Sequence, residues 1–152
     1  HCHSLFYTQV LFTQERYRKF PPSPEPLKML RLPTLESAVL SNGLEITVAK
    51  REKVVLVTIQ LVILAGESSS PEKLPGLATF TANMITKGTA TLSSADIEEK
   101  IESIGGKLSV STYLNYSLFT FSFLDEYFDE ALDILSKIIL EPRFSKREIE
   151  NA

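Results

Sequence analysis

Apolar residues change their spacing several times along this chain, and each change marks an element. Leu44, Ile46 and Val48 alternate with Glu45, Thr47 and Ala49, which predicts a strand over Leu44 to Lys50 with one buried face. Ser37 to Leu40 reads as its hairpin partner, because Ser41-Asn42-Gly43 between them supplies residues that tolerate the left-handed backbone of a tight turn. Arg51-Glu52-Lys53 makes the next turn. Val54 to Leu64 is apolar on both faces and rich in β-branched residues, the pattern of an inner strand covered on two sides.

The spacing then switches to three and four. Leu77, Phe80, Met84 and Ile85 predict the buried face of a helix entered through Pro75 and Gly76 and closed at Gly88, after a polar loop from Ala65 to Pro71. Ser93 and Asp96 form a capping box for a second helix, with Ile97, Ile101 and Ile104 on one side and Gly105-Gly106 at its end. Alternation returns with Leu108, Val110 and Thr112, and again, after a turn at Leu114-Asn115, with Phe119, Phe121 and Phe123. Asp125 is positioned to cap a third helix, whose stripe of Phe128, Ala131, Leu132, Leu135, Ile138 and Ile139 stops at Glu141-Pro142. Ser145 and Glu148 make a last capping box, and the chain is expected to continue beyond Ala152, since an isolated helical turn is not stable.

The expected fold is α+β, a mainly antiparallel sheet with helices packed on one face. Residues 1–29 form an arm and a stiff linker, Pro21-Pro22-Ser23-Pro24-Glu25-Pro26, ahead of a domain over residues 30–152 that is truncated within its last helix. At 152 residues, 43% hydrophobic and 23% charged, the chain has the makeup of one globular domain. With 16 basic and 19 acidic residues the net charge is -3, which gives no electrostatic case for nucleic acid. The apolar run from Val54 to Ala65 is too short for a membrane span.

Candidate chemistry is sparse. Both histidines, His1 and His3, flank the single cysteine, Cys2, at a chain end that would have to be ordered before it could hold a metal. With no histidine between Leu35 and Ala152, neither a Ser–His–Asp triad nor a His-ligated zinc centre can be built in the domain. Asp129 and Asp133 lie at helical spacing beside the apolar stripe, as solvated rim residues do.

One string carries more than periodicity. Gly76, Leu77, Ala78, Phe80, Met84, Lys87, Gly88 and Thr89 resemble, in register, the active-site helix of the insulinase/pitrilysin family of zinc peptidases, which includes the mitochondrial processing peptidases. Leu40-Ser41-Asn42-Gly43-Leu44, Ile104-Gly105-Gly106 and Leu140-Glu141-Pro142-Arg143-Phe144 extend the resemblance over Leu35 to Ala152. It implies a metallohydrolase fold like that of the processing peptidase. The family's two zinc-binding His and its general-base Glu fall on Thr79, Asn83 and Ala82. A neutral hydroxyl and a neutral amide are poor zinc ligands, and Ala82 cannot take a proton.

The resemblance therefore implies no catalytic residue and no metal in this chain, with zinc expected in an active partner. It implies a non-catalytic subunit or half that walls a peptide chamber, with Thr79, Asn83 and Ser109 lining a polar groove for an extended peptide. The partner would be a homologous catalytic subunit or domain. Two alternatives stand beside this one: a full-length zinc metalloendopeptidase whose site lies outside these residues, and a structural core-type subunit. The Pro-rich segment suits an exported, periplasmic bacterial protein, and a mitochondrial origin is the other expectation.

Overall fold

The computed structural model describes residues 33–51 and 54–150. The expected arm and linker, the first residues of the expected domain, and most of the expected 51–53 turn lie outside the described residues. The chain divides into two units, one ending at Lys50 and one beginning at Arg51.

In the first unit, β1 (Leu35–Val39) and β2 (Glu45–Ala49) pair antiparallel, with Ala38 opposite Ile46 and Glu36 opposite Val48. Gly43 holds the turn at φ 85°, and Asn42 Oδ1 accepts from Leu44 N at 3.1 Å, as the Asn-Gly signal predicts. The expectation of a buried face fails here: Ile46 is 38% and Val48 52% exposed, because a lone two-stranded ribbon has nothing of its own to cover either face.

The second unit is built on a three-stranded antiparallel sheet in the order β3 (Leu56–Ile63), β5 (Ser117–Leu124), β4 (Lys107–Thr112). The inner strand is β5. The expectation that Val54 to Leu64 would be inner is overturned, since β3 lies at an edge and exposes Leu56 and Val62. Its hydrophobicity on both faces does not by itself specify two neighbours.

Parity decides which face carries the core. Phe119, Phe121 and Phe123 of β5 are buried, and across the ladder Leu61, Ile59 and Val57 stand opposite them. Three helices cover this side: α1 (Leu77–Ile85), α2 (Ser94–Ser103) and α3 (Phe128–Leu140). Ile97 and Ile101 of α2, and Ile104 just after it, meet Ala131, Ile134, Leu135 and Ile138 of α3 over Phe121 and Phe123. Full burial stabilises by about 1.5–3 kcal/mol for each large side chain, so this cluster dominates the stability of the unit. The α+β fold with helices on one face is thus borne out.

The capping box of α2 forms as expected, with Asp96 N donating to Ser93 Oγ at 3.2 Å and Ser93 N to Asp96 Oδ2 at 2.9 Å. Asp125 does not cap α3. It opens a 3₁₀ turn over Asp125–Tyr127, and its N–H donates to Val55 O at 2.9 Å, so α3 begins later, at Phe128. Within the expected stripe of α3, Phe128 and Leu132 are exposed, while Ile134 takes a place in the core. A short helix, α4 (Lys146–Glu150), closes the described chain, with Glu148 N donating to Ser145 Oγ at 3.3 Å.

Candidate functional site

The site is the first turn of α1 and the loop that caps it. Gly76 takes φ 85° and turns the chain into the helix, which leaves the leading N–H groups without intrahelical acceptors. The preceding 3₁₀ turn, Glu67–Ser69, supplies them from outside. Glu67 Oε2 accepts from Gly76 N at 3.2 Å and from Ser70 Oγ at 3.3 Å. Glu67 Oε1 accepts from Thr79 N at 3.0 Å and also from the Thr79 hydroxyl. Ser70 Oγ accepts from Ala78 N at 3.0 Å. An anion at a helix N-terminus also meets the positive end of the helix dipole. The Thr79 hydroxyl bond above all holds the Glu67 carboxyl below the usual carboxylate range; desolvation, second in size, opposes it, and the Thr79 N–H, Ser70 hydroxyl and Gly76 N–H bonds add to the lowering.

The capping loop is itself fixed to the sheet. Glu67 N donates to Tyr113 O at 3.0 Å and Ser68 N to Leu114 O at 2.8 Å, so the β4–β5 turn and the start of α1 share one loop. Ser117 Oγ adds a bond to Ala65 O at 2.8 Å. Gly66 is required by this approach, because a Cβ there would lie 2.3 Å from Tyr113 O and 2.5 Å from Tyr116 N.

Thr79 and Asn83 both lie exposed, one turn apart on α1. Ala82, beside Thr79 at the three-residue step, is turned in towards the sheet and is 4% exposed. It lines an apolar groove of about 230 Å³ between α1 and the sheet, with Leu77, Thr81, Ile63 and Phe119 also in the wall. The expected helix face is therefore rotated. Met84 is buried, but Leu77 and Phe80 are 38% and 36% exposed, since the helix approaches the sheet through the small Ala78 and Ala82. Ser109 is not brought to Thr79 and Asn83. It stands opposite Thr120 on the sheet face away from Phe119 and Phe121, and no hydrogen bond joins it to α1 among the described residues.

The donors at α1 do not suit a zinc ion. Each Glu67 oxygen already accepts two hydrogen bonds, which fills its lone-pair directions. A hydroxyl and an amide are the remaining donors, and Ala82, in the wall of the groove, has none to add. Sequence alone does not single out Glu67, because its donor lies twelve residues later and no local motif links them.

Residues 46–152 match the profile of the family described as Insulinase (Peptidase family M16). The chain belongs to this family. It is 29% identical over 141 residues to the mitochondrial-processing peptidase subunit beta of Rattus norvegicus, covering 93% of this chain and 28% of that protein. It is also 29% identical over 109 residues to an uncharacterised zinc protease of Bacillus subtilis, covering 72% of this chain and 27% of that one. The chain thus spans little more than a quarter of the length of these curated relatives. In fold it is similar to a peptidase M16 inactive domain from Pseudomonas fluorescens, with a TM-score of 0.72 and 18% identity over 77% of this chain and 29% of that one. Among the described residues of this M16 chain, no helix is long and apolar enough to cross a membrane.

Proposed function

We propose that this chain is a non-catalytic M16 domain, which walls a peptide-binding chamber and supports a homologous, zinc-bearing partner subunit or domain. The observation that carries this reading is the saturated Glu67 carboxylate on Thr79. The turn of helix that would present a metal ligand is instead closed by an internal cap. A capped helix is a rigid wall, and it has no group to activate water.

Strand β4 packs beside α1 and has β5 as its one hydrogen-bonded neighbour among the described strands. An extended peptide pairing with the free edge of β4 would gain main-chain bonds without needing a catalytic group. Thr79 and Asn83 would flank it from the helix.

Elemental analysis of the protein at its natural length, free of any histidine tag, tests the reading. Zinc well below one per chain after dialysis is expected. One retained zinc per chain would favour the second reading, a zinc metalloendopeptidase with its site elsewhere, which the zinc-protease relatives of more than twice this length make the natural competitor.

A further inference from the structure

A second cavity, of about 370 Å³, opens between residues 87–94 and residues 143–148, away from the capped turn of α1. A small ladder builds it. Arg143 N donates to Gly88 O at 2.9 Å and Ala90 N to Glu141 O at 3.0 Å, with Thr89 and Pro142 bridged between them. Thr89 is 2% exposed, and its hydroxyl oxygen accepts from Leu92 N at 2.9 Å, which folds the rim back on itself. Lys87 and Arg143, far apart in sequence, are thereby brought into one wall, and Arg147 joins them from α4.

Among the described residues none of these three cations is ion-paired, and they outnumber the one carboxylate in the wall. The ion pairs among the described residues are Lys137 with Asp133 and Lys146 with Glu150, and neither involves the cavity. Glu148 lines the wall without pairing to any of the three, and the neighbouring Asp96 carboxylate is engaged by the Ser93 N–H and hydroxyl. In a chain whose net charge is -3, three cations gathered around one cavity repel each other, and an incoming anion relieves that repulsion.

We propose that this cavity docks an acidic segment of a partner polypeptide, with carboxylates meeting Lys87, Arg143 and Arg147 and hydroxyls such as Thr91 and Ser145 bonding its main chain. The volume is far larger than one free oxyanion and suits side chains on an extended segment. Charge complementarity selects Asp and Glu. The proposal is independent of what α1 does.

Fluorescence anisotropy with a labelled, end-blocked tetraglutamate peptide, on the protein at its natural length, tests it. Saturable binding that weakens with added salt is expected, with a loss of about tenfold for Arg143→Gln and for Arg147→Gln. Lys146→Gln, whose ammonium already pairs with Glu150 at 3.8 Å, serves as the control and leaves binding unchanged. Melting curves separate lost binding from lost folding, and Arg147→Gln alters an exposed side chain outside the ladder. No binding, an equal effect of Lys146→Gln, equal binding of tetralysine, or displacement by inorganic phosphate as readily as by unlabelled peptide would each overturn the proposal, the last by marking a small-anion site.

Discussion

Thr79 gives both its backbone N–H and its hydroxyl to the same oxygen of Glu67, twelve residues earlier. This pair joins the helix start to the loop that grips the β4–β5 turn. Glu67→Ala should therefore lower the melting temperature and speed hydrogen exchange at the amides of residues 76–80, and leave α3 protected. Thr79→Val should do the same more weakly, since it keeps the backbone bond. Unchanged exchange in both variants would show that the cap contributes nothing.

Acid should loosen the unit by a defined route. Hydrogen bonds from Thr79 and Ser93 respectively hold the Glu67 and Asp96 carboxyls below their ordinary values of 4.5 and 3.8. A depressed folded-state pKa means that the unfolded chain takes up protons first. The stabilisation is complete above the ordinary values and is lost as pH falls through the lower folded ones. Urea midpoints measured from pH 6 to pH 2 should drop over the acid end, and Glu67→Gln with Asp96→Asn should flatten that drop.

Gly66→Ala forces a Cβ against backbone atoms at 2.3–2.6 Å, and backbone cannot step aside as a side chain can. A loss of about 3 kcal/mol in chemical denaturation is expected. A cost near zero would show that the loop can lift from the turn.

Restoring the family residues should not restore the metal. Thr79→His, Ala82→Glu and Asn83→His together would put a carboxylate at position 82, which is 4% exposed in an apolar groove, and an imidazole against Glu67. The triple variant is expected to be less stable and to retain less than one zinc per chain after dialysis. Stoichiometric zinc would mean that the donor geometry survives in α1.

The core offers a simpler check. Phe123 is fully buried beneath Ile97, Ala131 and their neighbours, so Phe123→Ala should cost about 3–5 kcal/mol by denaturant titration.

What could be read from the sequence was local. Ser93 with Asp96, the glycine after Ile104, and the Phe alternation of β5 each announce themselves within a few residues. Strand order could not be read this way, since Val57 faces Phe123 across a long interval and nothing near Val57 says so. The seat of α1 runs against its large apolar residues, because the small Ala78 and Ala82 are the ones that allow close approach to the sheet. The Glu67 cap was invisible for want of a local signature. Ser109 is different: its alternation with Leu108 and Val110 already placed it on the opposite face.

The position of β5 between β3 and β4 has a consequence for synthesis. Among the described strands β5 is the one neighbour that β3 and β4 share, so a growing chain lacks it for both until Ser117–Leu124 has emerged. Through that interval Val57, Ile59 and Leu61 have no sheet to join, and the nascent chain is open to misassociation or chaperone capture. Of these three strands β5 is the last to leave the ribosome, and it is the one that makes the other two a sheet.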